Sequence, residues 1–322
     1  MRPTSDAVLC CGNIVYDTLV RPVEELHWGR GTTFVESIEY RAGGNGASTS
    51  RALAILGVPV RLLSVVGADE QGRFILDKLQ RAGVDIVGVE QVSAPTAATV
   101  AMVNSTGERK FFHRPGASAV GLAAPVFFQP VRSQFVHFHL ASFFVLPRLR
   151  ARGPEPLIHA REAGWTTSFD TNWDPEDGWM QTLEPCLPYI DVLFMNEDEA
   201  RMITGADDPK TGARVVLGRG TRTAVMKLGR RGCAIYTDDS EILCPAFEVK
   251  AKDTTGAGDC FVAGFLAAWK HGASLRESGR FANAVAALTV QHIGAVEGVL
   301  SFAETEAWMR NAPLREICVE AR

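Results

Sequence analysis

The sequence lacks the features that mark several common classes of protein. It has no run of about 18 uninterrupted apolar residues, and its N-terminus lacks a signal-peptide apolar core, so we expect no membrane partner. Its Lys and Arg residues form no dense cluster and its net charge at pH 7 is −4, which argues against a nucleic-acid partner. Seven cysteines without a C-x-x-C pair favour neither a disulfide framework nor a zinc site. We therefore expect a cytoplasmic protein that acts on a small molecule.

Sequence motifs of three enzyme classes are also missing. No G-x-G-x-x-G follows the first strand-like segment, where CCGNIVYD stands instead, so a nicotinamide oxidoreductase is disfavoured. The chain contains no G-x-x-x-x-G-K-[ST] P-loop and no G-x-S-x-G nucleophile elbow. A P-loop kinase and a hydrolase of the nucleophile-elbow type are therefore disfavoured as well.

Short β-branched runs alternate with segments of helical period, a pattern that predicts βαβ units and a parallel sheet. The predicted strands are residues 7–11, 60–66, 134–140, 166–169, 192–195 and 224–228. The predicted helices are residues 47–56, 70–82, 198–203, 258–270 and 276–290. Residues about 20–43 and 96–115 break the alternation, and we expect either a β-rich flap or two antiparallel edge extensions there. Because the carboxyl ends of parallel strands share one edge, residues distant in sequence can meet there in one cleft.

The segment AKDTTGAGDCFVAGFLAAW, residues 251–269, places small and acidic residues directly before an amphipathic helix. The free N–H groups and the positive dipole end of a helix start attract anions, and Gly256, Ala257 and Gly258 leave those N–H groups accessible. Asp259 would repel an anion unless it had a task of its own. Accepting a proton from an attacking hydroxyl is a task that fits. The alternative is that Asp259 only complements the helix dipole.

This segment, D-T-T-G-A-G-D followed by an apolar helix that contains glycine, closely resembles the C-terminal signature of the ribokinase-like (PfkB) carbohydrate kinases. GGNGASTSRALAILG, residues 43–57, is similar to the family's sugar-binding segment. The resemblance covers about residues 8–303. It implies an α/β fold, a ribokinase-like doubly wound, mostly parallel sheet flanked by helices with a small discontinuous β-sheet lid. Residues 1–322 would then form a single domain, with the lid inserted at about 20–43 and 96–115.

The resemblance also implies phosphorylation of a sugar hydroxyl by ATP. Asp259 would be the general base, and the amides of Gly256, Ala257 and Gly258 would form the anion hole. Magnesium would be held, through water, by Asn196 and Glu199. From the residues alone, an ordinary helix start with Asn196 as its cap is the preferred interpretation of these two. For Asn283, the alternative is a helix residue that faces solvent. The residues implied as nucleotide contacts are Asn196, Glu199, Lys227, Gly229, Gly232, Thr254 and Asn283.

Many family members also have a monovalent-cation site. The resemblance implies that K⁺ would be held here by Asp253, Thr255, Thr289, His292, Gly294 and Gly298. Backbone carbonyls supply most of the ligands at such a site, so the sequence leaves K⁺ activation open.

On the sugar side, the resemblance implies a set of substrate contacts spread over the first half of the chain. They are Asp17, Gly44, Asn45, Ser48, Arg114, Asp170 and Asn172. Ser48 departs from the family pattern, in which Asn is common. In DTNWDP, residues 170–175, Asp174 replaces the arginine of a D-x-N-x-R stretch, and this exchange of a cation for an anion favours a neutral sugar.

Two alternative functions remain open. Aromatic residues of the lid segments, Phe34, Tyr40, Phe111 and Phe112, are compatible with a nucleoside kinase of the same family. A non-catalytic sugar-binding sensor could share the fold, although a sensor needs no base. By analogy with the family, we expect a homodimer formed through the lid.

A pair of histidines, His137 and His139, lies on one face of a predicted strand at a spacing compatible with metal binding. No third ligand is evident beside them. We therefore predict that they are structural.

Overall fold

In the computed structural model, the chain forms three layers, a β-sheet between two layers of helices. The structure describes residues 7–26, 29, 31–123 and 135–315. The strands are β1 (Ala7–Cys11), β2 (Val15–Arg21), β3 (Ser37–Gly43), β4 (Val60–Gly67), β5 (Val89–Val92), β6 (Ala98–Val103), β7 (Arg109–Arg114), β8 (Phe135–Leu140), β9 (Thr166–Asp170), β10 (Val192–Asn196), β11 (Thr223–Lys227), β12 (Cys233–Tyr236) and β13 (Glu241–Cys244). The helices are α1 (Asn45–Ile55), α2 (Glu70–Arg81), α3 (Pro147–Arg150), α4 (Glu155–Glu162), α5 (Trp179–Leu183), α6 (Glu197–Thr204), α7 (Pro209–Leu217), α8 (Ala257–Lys270), α9 (Leu275–Val290) and α10 (Phe302–Met309).

The main sheet contains nine of these strands in the order β13-β12-β11-β10-β9-β8-β1-β4-β5. The strands from β11 to β5 are parallel, whereas β12 and β13 form an antiparallel hairpin at one edge. The chain continues from β1 to β4 on one side and later adds β8 on the other. The strand order therefore reverses beside β1, and in sheets of this kind ligands bind outside the carboxyl ends at such a point.

Two apolar cores cover the two faces of this sheet. Alternate residues of β1 enter opposite cores: Val8 and Cys10 pack with α1, α2, α8 and α9, whereas Leu9 and Cys11 pack with α3 to α7. Strands that are buried on both faces read as continuous apolar runs, as AVLCC does here. The two cores hold the carboxyl ends of the strands in fixed positions along one edge.

A second sheet, the β lid, consists of β2, β3, β6 and β7 in the order β3-β2-β6-β7. Its register pairs Asp17 with Arg41 and with Thr99, so these three side chains share one face. That face borders a cavity of about 830 Å³, which Asp253 and Thr255 of the body also line. A discontinuous lid is therefore confirmed, and the alternative of two edge extensions is wrong.

The predicted elements agree with the observed ones within one or two residues at each end. The lid begins earlier than predicted, because β2 starts at residue 15 rather than 20. Residues 27, 28 and 30 of the first predicted lid segment and residue 134 of a predicted strand lie outside the described residues. Within the described part of the chain, no helix combines the length and apolar character that crossing a bilayer requires.

Candidate active site

The start of α8 lies at the carboxyl edge of the sheet and is shaped by glycine. Gly256 is the N-cap residue, with a left-handed φ of 71°. A Cβ at this position would lie 2.7 Å from the Cα of Ala295 and would clash with the carbonyl oxygen of that residue. The amide of Ala257 donates to the Thr254 carbonyl at 3.2 Å. Among the described residues, the amides of Gly256 and Gly258 have no hydrogen-bond partner, so two of the three expected anion-hole donors are free.

Asp259 lies in the first turn of α8 and is only 9% exposed. Its Oδ1 accepts a hydrogen bond of 2.9 Å from Nδ2 of Asn45. Asn45 belongs to GGNGASTSRALAILG, residues 43–57, which we call the Gly-Gly segment. Burial and the negative charge of Asp170 raise the pKa of Asp259 to about 7, although Asn45, Lys227 and Ser48 act to lower it. A carboxyl group with this pKa can accept and release a proton near neutral pH.

The Gly-Gly segment is held next to Asp259 by residues that the sequence analysis did not identify. Gly44 caps α1 with φ 93°, and the Asn45 amide donates to Oδ1 of the buried Asn13 at 2.9 Å. The Asn13 amide donates in turn to Oγ of Ser142 at 2.6 Å. Asn13 and Ser142 each follow a parallel strand by two residues, and that position was the only available signal for them.

A buried ion pair lies beside the helix start. Nζ of Lys227 is 2.6 Å from Oδ1 of Asp170, and the two side chains are 14% and 4% exposed. Burial opposes the charge on Lys227, but Asp170, Glu199 and Asp259 outweigh it and raise the pKa of the lysine. A Cβ built on Gly258 would lie 3.6 Å from Lys227 Nζ, so the ammonium group faces Gly258. Lys227 therefore brings a permanent positive charge to this site.

Asn196 and Glu199 form a capping box at the start of α6, which is the local reading that the residues alone favoured. Oδ1 of Asn196 accepts from the Glu199 amide at 2.8 Å, and Oε2 of Glu199 accepts from the Asn196 amide at 2.8 Å. Oγ1 of Thr171 also donates to this Oε2, at 3.0 Å. No described residue hydrogen-bonds Oε1 of Glu199, so this oxygen is free to accept a water molecule. The pair therefore fits an indirect contact with magnesium, which keeps several waters when bound to proteins.

A cavity of about 280 Å³ borders Ala257 and Gly258 at the start of α8. Seven of the predicted site residues line it, namely Lys227, Gly229, Gly232, Thr254, Ala257, Gly258 and Asn283. Asn283 is buried and its Nδ2 donates to the carbonyl oxygens of Cys244 and Pro245, so the solvent-facing alternative is wrong. Arg315 also lines this cavity and was not predicted.

Three of the six predicted monovalent-cation residues come together, and two have other local partners. Asp253 accepts hydrogen bonds from the amides of Thr255, at 2.9 Å, and Gly294, at 3.0 Å. Oγ1 of Thr289 instead donates to the Val285 carbonyl within α9, at 2.8 Å. Nδ1 of His292 lies 3.2 Å from the Leu288 carbonyl oxygen. Gly298 packs against the same carbonyl, where a side chain would clash.

Among the predicted sugar contacts, Asp17 lines the 830 Å³ cavity and Asn172 holds its side-chain oxygen in a buried position. Burial raises the pKa of Asp17 to about 6, although Thr99 and Arg41 act to lower it. A Cβ on Gly43 would overlap the Asp17 carboxylate, so the glycine makes room for it. Asn172 has a left-handed φ of 48°, and its buried Oδ1 has no hydrogen-bond partner in the described chain. Such an orphaned acceptor suits a ligand hydroxyl.

Two side chains near the sugar region have structural partners instead. Nη2 of Arg114 donates to the Thr96 carbonyl at 3.0 Å and supports the loop before β6. Asp174 is fully buried, and its carboxylate accepts from the amides of Glu176, at 3.0 Å, and Trp179, at 2.8 Å. Asp174 therefore caps a local turn rather than facing a ligand. The exchange of an arginine for Asp174 is thus no argument for a neutral sugar.

His137 and His139 are fully buried and share one partner, the Ser168 hydroxyl, at 2.7 and 2.8 Å. Burial lowers the pKa of His139 to about 3 and that of His137 well below its ordinary value, so both are neutral. Within the described residues, no group of three or more His, Cys, Asp or Glu side chains is arranged to hold a metal ion.

Both the sequence and the fold are similar to those of known sugar kinases. A family model for the pfkB family carbohydrate kinases matches residues 5–301. The ATP-dependent ribose-1-phosphate kinase of Halopiger xanaduensis is 31% identical over 293 residues, which cover 89% of this chain and 93% of that protein. Probable fructokinase-7 of Arabidopsis thaliana is 29% identical over 93% of this chain and 91% of its own length. The structure of Arabidopsis thaliana ribokinase complexed with ribose and ATP gives a TM-score of 0.84 at 25% identity, covering 95% of this chain and 99% of that one.

Proposed function

Because the chain belongs to the pfkB family of carbohydrate kinases, we propose that it transfers the γ-phosphoryl group of ATP to a hydroxyl of a small sugar, with Asp259 as general base. One observation carries this proposal. Asp259 is hydrogen-bonded to Asn45 of the Gly-Gly segment and directly follows Gly258, which lines the 280 Å³ cavity. The proton acceptor thus lies between a sugar-side element and a cavity that suits the nucleotide.

In the proposed reaction, the Asp259 carboxylate takes the proton of the sugar hydroxyl. The hydroxyl oxygen forms a bond to the γ-phosphorus, and the bond from that phosphorus to the bridging oxygen breaks to release ADP. The free amides of Gly256 and Gly258 and the ammonium group of Lys227 stabilise the negative charge on the transferring group. Positioned donors of this kind act more strongly in a water-poor site than in bulk water. Magnesium, when held through water at Glu199, would supply further neutralisation of the phosphate charge.

For the substrate, we propose a small neutral sugar. Its support is the Asp17 carboxylate and the orphaned Asn172 oxygen, which suit hydroxyl donors rather than a second phosphate. A phosphorylated sugar is the second candidate. Its support is the 31% identity to an ATP-dependent ribose-1-phosphate kinase, together with Lys252 at the wall of the 830 Å³ cavity.

The nucleoside alternative draws little support from the lid aromatics. Phe111 lines the 830 Å³ cavity, but the register places Tyr40 and Phe112 on the opposite face of the lid sheet. Phe34 is 91% exposed. Of the four aromatic side chains, only Phe111 could therefore pack against a nucleobase in the 830 Å³ cavity.

The test of this function is ADP release from ATP over a panel of acceptors: ribose, fructose, ribose 1-phosphate, 2-keto-3-deoxygluconate, adenosine and cytidine. We expect turnover with a neutral sugar and identification of its phosphate ester by ³¹P NMR. Turnover with ribose 1-phosphate alone would assign the second substrate class, and turnover with nucleosides alone would replace the sugar assignment. Sugar binding without any ADP release would favour the sensor.

The pH dependence of catalysis is expected to follow the titration of Asp259. Only its carboxylate form accepts a proton, and its pKa is raised to about 7, so kcat/KM should rise with pH up to neutrality and level off above it. Below the pKa, the loss should approach about tenfold per pH unit. The Asn45→Ala variant removes a hydrogen bond that lowers this pKa, so its profile should shift to higher pH. A kcat/KM that is flat between pH 5.5 and 8 would contradict the role of Asp259.

We also propose that the enzyme works in the cytoplasm as a homodimer joined through the β lid. The lid face that points away from the cavity exposes Ile38, Tyr40 and Phe112 by 55%, 54% and 41%. Ile38 and Tyr40 are neighbours on β3, and Phe112 lies on the opposite edge strand, β7. Exposed apolar side chains that share one face in this way are typical of protein interfaces. Light scattering should give twice the chain mass of 34.9 kDa, and Tyr40→Glu should give the monomer. A wild-type monomer at micromolar concentration would rule out this dimer.

A further inference from the structure

Two arginines of the β lid reach the loop that forms the anion hole. Arg109 of β7 donates from Nη2 to Oδ1 of Asp253 at 2.7 Å and from Nη1 to Oγ1 of Thr255 at 2.7 Å. Arg41 of β3 brings its Nη1 within 3.5 Å of the other carboxylate oxygen, Oδ2. We refer to Arg41 and Arg109 as the arginine clamp, and to residues 253–256 as the anion-hole loop.

Both carboxylate oxygens of Asp253 already have partners, which come from the arginine clamp and from nearby residues. Oδ1 accepts from the Thr255 amide at 2.9 Å and from the Thr255 hydroxyl at 2.7 Å, in addition to Arg109. Oδ2 accepts from the Gly294 amide at 3.0 Å and faces Arg41. Burial alone would raise the pKa of Asp253, but these hydrogen bonds lower it to about 2. Asp253 is therefore an anion that already has its hydrogen-bond donors and its compensating positive charge.

This arrangement does not fit a monovalent cation at the predicted site. A hard cation needs several free oxygens, whereas both oxygens of Asp253 are occupied by donors. A cation at this carboxylate would also meet the like charges of two guanidinium groups, whose nitrogens already lie 2.7 and 3.5 Å from the carboxylate oxygens. The hydroxyl of Thr289 and the ring of His292, just beyond the helix, are directed to carbonyls of α9.

The same contacts link the lid to the anion hole. Thr255 directly precedes Gly256, and Asp253 lies three residues before it. The amide of Gly294 donates to Asp253, and the next residue, Ala295, packs against Gly256. When the lid lies on the body, Arg109 thus fixes a loop that carries the anion-hole amides. Moving the lid away would have to break the pair between Arg109 and Asp253 and so release that loop.

We infer that the arginine clamp supplies the positive charge that a monovalent cation would otherwise supply beside the anion hole, so that catalysis is independent of K⁺ and Arg109 is a positioning residue. The claims about catalysis, that it is independent of K⁺ and that Arg109 is a positioning residue, rest on the proposed function. The structural claim, that the folded chain has no K⁺-binding site at Asp253, stands without it.

The first test compares 100 mM KCl with 100 mM tetramethylammonium chloride, which have equal ionic strength. We expect wild-type kcat to agree within about twofold and the thermal unfolding midpoint to agree within about 1 °C, because a cation that binds only the folded state would raise that midpoint. A stimulation of about fivefold or more by K⁺, or a K⁺-specific rise in the midpoint, would overturn the inference. If no acceptor is phosphorylated in either salt, the proposed function fails, whereas the unfolding measurement still decides whether K⁺ binds.

The second test replaces Arg109. We expect Arg109→Ala to lower kcat by about 10- to 100-fold with little change in the KM for ATP, because the anion-hole amides lose their fixed position. Arg109→Lys should recover part of the loss, since an ammonium group can reach Asp253 but not Thr255 at the same time. The control is Arg81→Ala, which also removes one arginine–aspartate pair, with Asp77 on the exposed face of α2.

Circular dichroism establishes whether each variant is folded. Should the alanine variant fail to fold, the lysine variant carries the test, with an expected kcat below that of wild type at unchanged unfolding midpoint. A wild-type kcat in the folded Arg109→Ala variant, or equal losses in Arg109→Ala and Arg81→Ala, would overturn the positioning role.

Discussion

Replacement of Asp259 by Asn is expected to lower kcat by about 10²- to 10⁴-fold while the affinity for ATP stays nearly the same. The asparagine keeps an oxygen that can accept from Asn45 Nδ2, so the geometry of the helix start is preserved. It cannot take the proton of the sugar hydroxyl. Steady-state kinetics with the best acceptor and calorimetric titration with a non-hydrolysable ATP analogue measure the two quantities separately.

The control for this variant is Glu304→Gln, which alters a first-turn acid at the start of α10 far from the site. An acid that only complements a helix dipole contributes about 0.3–1 kcal/mol to stability. If that were the role of Asp259, both variants would lose similar stability and keep their kcat. Asp259 is instead buried, and burial opposes its charge, so Asp259→Asn should leave the unfolding temperature unchanged or raise it. A folded Asp259→Asn enzyme with near-normal kcat would remove the base from the mechanism.

Replacement of Gly256 by Ala should lower both kcat and stability. The left-handed φ of 71° disfavours any residue with a Cβ, by about 1–2 kcal/mol. The new methyl group would also collide with Ala295, so the loop from residue 294 must shift or the anion-hole loop must move. Because loss of one anion-stabilising donor typically lowers kcat by about 10²- to 10³-fold, we expect a loss of that order.

The matched control is Gly272→Ala, just after the other end of the same helix. Gly272 has a left-handed φ of 86°, and a Cβ there would meet nothing within 4 Å. The control therefore introduces the backbone strain without the collision, and should lower the free energy of unfolding while kcat stays normal. If the two variants have the same kcat, the packing of Gly256 against Ala295 is irrelevant to catalysis.

The sequence pattern was sufficient to predict the helices whose first turns form the candidate site. Periodicity placed the starts of α1, α6 and α8 within two residues of their observed positions. The pattern did not identify β5, β12 or β13, which have only four residues each and little alternation to read. Lysines, serines and glycines near strand ends could be named as candidate site residues. Parallel strands align their carboxyl ends at one edge of the sheet, and this alignment does not depend on how the side chains pack.

The roles of individual candidates were less predictable. Asn196 and Glu199 satisfy each other as a capping box, and that contact depends on a spacing of three residues that the sequence displays directly. Asp174 was expected to influence the charge of the substrate, yet it caps a turn through amides five or fewer residues away. A polar residue next to a motif can either contact a ligand or hydrogen-bond nearby backbone amides. Similarity to the motif alone does not distinguish these two roles.

The sequence by itself determined that this chain forms a mostly parallel α/β sheet and that a glycine-lined helix start bears an aspartate. These properties follow from residues a few positions apart. Only the tertiary structure decided how strongly Asp259 holds its proton, which depends on its burial, on the charge of Asp170 and on the hydrogen bond from Asn45, 214 positions away. It alone also brought Arg109 to Asp253, across 144 positions and from another sheet. Charge and burial act through space, so these pairings could not be read from any local pattern.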